Sequence, residues 1–360
     1  MTVHQPTEAE SVAAILARAA GRHFGGNAVI EQLRRESGGA SRQTWSFDAV
    51  VEDARHELIL RRDPPTLGAP RPRAEVDRSA SIARGTEFRV LRAAFQAGVR
   101  APEVLFELSP DDGLGEGFVM RRIGGTAIAR KLLRDPPYAV ARKRIAGQLG
   151  EILARLHAVP LANLPTLVHR EAADQVAGQR RALDLLDRPQ PVFELALSWL
   201  DRRKPAPTAT PVLVHGDYRT GNYLADESGV TAILDWEGAH LGDPVEDLGW
   251  LCVKSWRFGA VDRPAGGFGS REELWAAYAS AGGIKVGTKI KILATKADYE
   301  ITELGAFAPF RVSCTARIRA RAPARNSSAS SARSSAAPAS PRPLTTSLIV
   351  PSPPAATTMS

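Results

Sequence analysis

Asp217, Asn222 and Asp235 carry the clearest chemistry in this sequence. They stand in Val212-Leu213-Val214-His215-Gly216-Asp217-Tyr218-Arg219-Thr220-Gly221-Asn222, followed by Ala232-Ile233-Leu234-Asp235-Trp236-Glu237. Asn222 comes five positions after Asp217, and Asp235 thirteen after Asn222. Phosphoryl transfer from a nucleotide needs such a set. One carboxylate orients the attacking hydroxyl, while an amide oxygen and a second carboxylate hold a divalent cation on the phosphates. Two hard oxygen ligands from separate elements suit Mg²⁺, which keeps several waters and takes its other ligands from phosphates. Each residue alone is ordinary turn chemistry, because Gly, Asp and Asn all favour turns. The joint pattern between two apolar runs is far more specific.

The elements that must position these groups are legible as periodicities. Residues 8 to 20 read as an amphipathic helix with Val12, Ile15 and Leu16 on one side. A strand run starts at Ile30 to Leu33. Trp45, Phe47, Ala49 and Val51 alternate with mostly polar residues, Glu52 to Arg55 make a turn, and His56 to Arg62 is the next strand. Residues 63 to 80 read as a loop. Ser81 to Gln96 is helical, with Phe88, Leu91 and Phe95 as core candidates, and Glu103 to Leu108 and Gly117 to Met120 are two further strands. The second half is mostly helical. Tyr138 to His157 carries Ile145, Leu149, Ile152, Leu153 and Leu156 at helical spacing, and Phe193 to Leu200 is shorter. Val245 to Trp256 and Arg271 to Ala281 follow the catalytic strands as helices. The expected division is 1–122, 123–310 and a basic low-complexity tail at 311–360. From about Pro323 that tail has too few large apolar residues to offset its ordering entropy.

Together with Gly242-Asp243-Pro244-Val245-Glu246-Asp247-Leu248, these motifs make the chain resemble the aminoglycoside phosphotransferase family. Arg61-Arg62-Asp63-Pro64-Pro65 and Gly98-Val99-Arg100-Ala101-Pro102 are similar to the branch related to the kinase-like domain of acyl-CoA dehydrogenase fusions. The resemblance covers residues 10 to 283 and fades after that. It implies an α+β, bilobal, protein-kinase-like fold, with an N-terminal antiparallel sheet plus helix and a mostly helical C-terminal lobe. It also implies transfer of the γ-phosphate of ATP or GTP to a hydroxyl of a small molecule, with Mg²⁺. An acceptor bearing a hydroxyacyl group, or its coenzyme A thioester, is the alternative. A kinase-like scaffold without turnover is a reading of another class.

Each role then falls on a numbered residue. Asp217 is the base or orienting group, and Asn222 and Asp235 are the metal ligands. Ser37, Gly38 and Gly39 lie in the loop over the phosphates, where glycine lets backbone N–H groups approach anionic oxygens. Arg61 stands where a kinase has its phosphate-pairing lysine, with Glu87 as partner and Arg62 on the other face of the strand. Met120, Arg121 and Ile123 lie in the linker that meets the base. His215 packs and orients the catalytic loop, Arg219 meets the transferring phosphate, and Glu237 assists the metal. Asp243 caps a helix, and Asp247 hydrogen-bonds the loop backbone.

Composition sets the remaining bounds. The formal net charge is +8 from 47 Lys and Arg against 39 Asp and Glu. Seven arginines follow Glu303, and without them the balance is 40 against 39. The basic character therefore belongs to the end of the chain, and nucleic acid is an unexpected partner. No apolar run approaches the ~20 residues a bilayer crossing needs. The start lacks the basic and apolar regions of a secretory signal. Two cysteines make neither a disulfide framework nor a zinc site. The expected location is the cytoplasm.

Overall fold

Thr7 starts the first helix, α1 (Glu8–Phe24), through a reciprocal cap. Its hydroxyl accepts the Glu10 N–H, and the Glu10 carboxylate accepts the Thr7 N–H. The computed structural model describes residues 7–36, 42–63, 81–186 and 189–283. The expectations for Ser37, Gly38 and Gly39, for the loop to residue 80, and for the basic tail fall outside the described residues.

After α1 come β1 (Ala28–Arg35), β2 (Gln43–Val51), β3 (Ala54–Asp63), β4 (Val104–Glu107) and β5 (Glu116–Arg121). They form one antiparallel sheet in the order β1-β2-β3-β5-β4. The turn between β2 and β3 is tighter than expected. Only Glu52 and Asp53 leave the ladder, both at positive φ (46° and 70°), so β3 begins at Ala54. Two left-handed residues match the right-handed twist of the paired strands.

Strand alternation divides the sheet's two faces. Leu58, Leu60, Phe47 and Val119 pack with Val12, Leu16 and Ala20 of α1. Phe118 and Met120 face the other way, onto Phe88 and Leu91 of α2 (Arg84–Gln96). Arg61 takes the α2 side with Ile59, and Arg62 takes the α1 side. There Arg62 is 4% exposed and reaches Gln43 Oε1 at 2.8 Å and Glu8 Oε1 at 2.9 Å. Phe95 departs from expectation. It is 42% exposed, in the final turn of α2.

The second half holds α3 (Ala129–Arg134), α4 (Ala139–His157), α5 (Ala172–Asp184) and α6 (Pro191–Arg203). Ile145, Leu149, Ile152, Leu153 and Leu156 are all buried along α4. Two small antiparallel pairs follow: β6 (Val212–Val214) with β9 (His240–Gly242), and β7 (Tyr223–Ala225) with β8 (Val230–Ile233). The helix expected from Val245 to Trp256 is shorter. As α7 it ends at Leu251, and a separate 3₁₀ turn covers Lys254–Arg257, because Val253 between them is extended. The last described helix, α8 (Arg271–Ser280), packs across α4. Among the described residues no helix is long and apolar enough to cross a membrane.

Candidate active site

β6 and β8 belong to separate two-stranded pairs, and hydrogen bonds linking His215 and Asn222 to Leu234 tie the segment after β6 to the end of β8. Gly216 makes the turn out of β6 possible. Its φ is +80°, and a Cβ there would lie 2.3 Å from the Gly238 carbonyl oxygen. The loop then closes on itself, with Asn222 Nδ2 donating to Asp217 Oδ2 at 2.6 Å and to the Asp217 carbonyl at 3.0 Å. The Leu234 N–H donates to the Asn222 carbonyl at 2.8 Å, clamping the residue before Asp235 to the residue that ends the loop. Asp235 itself has φ +65°, a left-handed conformation of the kind stored at functional sites at a cost of roughly 1–3 kcal/mol.

His215 lies fully buried beneath this arrangement. Its Nδ1 accepts the Asp217 N–H at 3.2 Å, and its Nε2–H donates to the Leu234 carbonyl at 3.0 Å. Its ring centroid is 5.0 Å from that of Trp236. Asp247 closes the base of the loop. Its two oxygens accept the N–H groups of His215 at 2.8 Å and Gly216 at 3.1 Å. Behind it, His157 Nε2–H reaches Asp247 Oδ2 at 3.3 Å, and the Tyr278 hydroxyl meets His157 Nδ1 at 2.9 Å. Burial alone would push the Asp247 carboxyl up, but His157 and the loop N–H groups hold it below the usual carboxylate value. Asp243 Oδ1 accepts the Val245 N–H at 2.9 Å, at the start of α7.

Asp217 is shared among three side chains. Besides Asn222, Trp250 Nε1–H donates to Oδ1 at 2.7 Å, and Arg219 Nε–H lies 2.9 and 3.1 Å from the two oxygens. The Arg219 guanidinium stacks 4.3 Å over the Trp256 ring, and Trp256 meets Trp250 edge-on at 5.3 Å. Neither tryptophan follows from the sequence reading, since a continuous helix through both gave no reason to turn either towards Asp217.

On the sheet side of the cleft, Arg61 and Glu87 come together with Nε 3.1 Å from Oε1. Arg61 Nη2 also bonds Asp235 Oδ1, and lies 3.2 Å from Glu237. Burial would lower the Arg61 guanidinium, but Glu87 and Asp235 hold it above its ordinary value. The reciprocal effect keeps Asp235 low against its own desolvation. Arg84 and Arg42 join the cluster, Arg84 pairing Glu87 and Arg42 pairing Glu237. Both escaped the sequence reading. Arg84 sits three residues before Glu87 on one helix face, and that spacing was the available signal. Buried Arg61 Nε and Arg84 Nε hold ion pairs without well-aligned hydrogen bonds, to Glu87 at 3.1 Å and to Asp63 at 3.3 Å. The three guanidiniums of Arg42, Arg61 and Arg84, gathered on this side of the cleft, suit phosphate oxygens.

The linker residues are partly committed. Met120 is buried at the end of β5. The N–H of Arg121 is taken by the Glu103 carbonyl at 2.9 Å, and its exposed side chain pairs with Glu103. Ile123 is half-buried, just before the crossing into the second half, where Thr126 exchanges backbone hydrogen bonds with Ala225.

The donor set also bears on a cation. Among the described residues no group of three or more His, Cys, Asp or Glu could hold one alone. Asn222 spends its amide nitrogen on Asp217 and so keeps its oxygen for another partner. With the Asp235 carboxylate it offers two hard oxygens beside the arginine cluster. Mg²⁺, completed by phosphates and water, fits such a pair.

Comparison with known proteins bears on the family and the fold. Acyl-CoA dehydrogenase family member 10 of Mus musculus is 27% identical over 207 residues, which is 56% of this chain and 18% of that protein. Family member 11 of Gallus gallus is 28% identical over 232 residues, 61% of this chain and 27% of that protein. The chain therefore spans about a quarter or less of the length of these two relatives. A provisionally assigned aminoglycoside phosphotransferase from Ralstonia eutropha JMP134 superposes with a TM-score of 0.54 at 20% identity, over 74% of this chain and 79% of the other. At that identity the likeness speaks for the fold alone, the two-lobed protein-kinase-like one. The model of the phosphotransferase enzyme family matches residues 32–283, and the chain belongs to that family.

Proposed function

We propose that this protein transfers the γ-phosphate of ATP or GTP to a hydroxyl of a small molecule. The observation that carries the reading is the clamp among Asp217, Asn222 and Leu234, which gathers a carboxylate, an amide oxygen and the Asp235 carboxylate at one mouth. Asp217 orients the acceptor hydroxyl and takes its proton as the new O–P bond forms and the bond to the leaving nucleotide breaks. Its hydrogen bonds from Trp250 and Asn222 aim the carboxylate. Arg61, steadied by Glu87, meets the nucleotide phosphates, with Ser37, Gly38 and Gly39 over them. The stretch from Met120 through Arg121 to Ile123 meets the base. Asn222 and Asp235 hold Mg²⁺, which supplies charge neutralisation on the phosphates when bound.

A specific observation favours an acceptor other than a polycationic aminoglycoside. The flank of Asp217 is Arg219 stacked on Trp256 beside Trp250, a basic and aromatic wall. A hydroxyacyl compound or its coenzyme A thioester suits such a wall, and the acyl-CoA dehydrogenase relatives point the same way. The place of action is proposed as the cytoplasm.

The test is nucleotide consumption over aminoglycosides, amino alcohols, sugars and hydroxyacyl thioesters, alongside melting with nucleotide in Mg²⁺ or chelator. Mg²⁺-dependent stabilisation and turnover with one acceptor class are expected. Asp217→Asn should lower transfer by roughly 10²–10⁴-fold with nucleotide affinity little changed. Stabilisation by nucleotide without turnover on any acceptor would favour a nucleotide-binding scaffold. Full activity of Asp217→Asn would remove Asp217 from the reaction.

A further inference from the structure

The face of α2 turned away from Glu87 borders a groove of about 730 Å³. Arg89, Arg92 and Gln96 lie within about 40° of the direction opposite Glu87, at 3.6 residues per turn. Thr86 flanks them, and Asn163 and Thr166 face them from the chain beyond α4. Every one of these six side chains carries a hydrogen-bond donor, and among the described residues no carboxylate lines the groove.

Among the described residues, most arginines of the first half are ion-paired; Arg89 and Arg92 are not, and unlike Arg18 and Arg100 they do not spend a guanidinium N–H on a backbone carbonyl. Arg34, Arg35, Arg55, Arg62, Arg121 and Arg122 are each ion-paired. Arg89 and Arg92 have no carboxylate within ion-pair distance among the described residues. Arg89 makes only a long 3.4 Å contact to the Thr86 hydroxyl, and Arg92 lies 5.5 Å over the Phe88 ring. Two guanidiniums one helical turn apart, about 5–6 Å at their Cβ atoms, match the spacing of separate phosphate groups in one ligand.

We infer that this groove is a second anion site, outside the nucleotide cleft, for a small polyphosphate. Arg89 and Arg92 each take one phosphate group, while Asn163 and Thr166 donate from the opposite wall. An anion seated there ties the outer face of α2 to the second half, on the helix whose inner face carries Glu87.

The probe is inorganic triphosphate, titrated calorimetrically into the full chain at about 0.15 M salt, where exposed long-range attraction is screened. A saturating non-hydrolysable ATP analogue with Mg²⁺ keeps the cleft filled. One further equivalent should bind to the wild type. Arg89→Gln/Arg92→Gln should weaken it at least tenfold while binding the analogue as before and melting at the wild-type temperature. No second equivalent in the wild type, or equal affinity in the double variant, would overturn the site. Because the double variant spares every residue of the cleft, loss of analogue binding by the wild type would count against the proposed function and leave the groove to its own result.

Discussion

Trp250 shows how much of the candidate site depends on a residue outside the motif. Its indole N–H donates to Asp217 Oδ1 at 2.7 Å and fixes one oxygen, while Asn222 fixes the other. Trp250→Phe keeps an aromatic ring beside Trp256 and removes only the donor. A hydrogen bond to a charged group contributes about 1.5–3 kcal/mol, so kcat should fall about tenfold or more. The KM for nucleotide should stay within about twofold, because the indole touches Asp217 and not the arginine cluster. Steady-state kinetics of the variant check this, and an unchanged kcat would show that the indole does not aim the carboxylate. At this scale Asp217, Asn222 and Asp235 are legible because the loop between two strands fixes their spacing along the chain. Trp250 and Arg42 are not, because their contacts with Asp217 and Glu237 join segments distant in sequence; Arg84, only three residues from Glu87, is missed because an arginine on a helix has many uses.

The elements are legible where one face is buried and the run is long. The alternation of Trp45, Phe47, Ala49 and Val51 and the spacing along α4 both translate into buried rows. Short elements escape. β7 and β9 are three residues each, too short to show a period, and α5 buries little beyond Leu183. The packing of α4 on α8 was equally hidden, because it rests on a residue with no side chain. A Cβ on Gly150 would lie 2.4 Å from the Leu274 carbonyl oxygen and 3.1 Å from Ala277 Cβ. Gly150→Ala gains up to about 1 kcal/mol of helix propensity but forces two helix backbones apart, and overpacking costs about 1–3 kcal/mol. Net destabilisation is expected in a denaturant melt. A variant more stable than wild type would show that the two helices have room to spare. Phosphoryl transfer should fall as well, because Tyr278 lies on the displaced helix and holds His157.

At the scale of the whole molecule, the chain from Tyr278 through His157 to Asp247 joins α8, α4 and the catalytic loop into one unit. The Asp247 carboxyl is held below its unfolded value of 3.8. A depressed carboxyl adds stability that is fully present above that value and is lost as pH falls through the folded one. Asp247→Asn should therefore destabilise the protein at neutral pH by about 1–3 kcal/mol, since one buried loop N–H loses its acceptor. The gap between variant and wild type should narrow below pH 3.8. Denaturant melts across that range measure it, and a constant gap would mean that Asp247 does not titrate with folding. The chain sequence announces Asp247 through its motif, but the histidine and tyrosine behind it come from helices 90 and 31 residues away. The same carboxylate has a consequence for solvent exchange. The amide hydrogens of His215 and Gly216 point at a fully buried acceptor, in a loop where Asp217, Arg219 and Gly221 are only half-buried. In deuterated buffer these two should outlast the amides of Asp217, Arg219 and Gly221, exchanging only when α7 leaves the loop. Their lifetimes would then time the departure of α7 from a position beside Asp217.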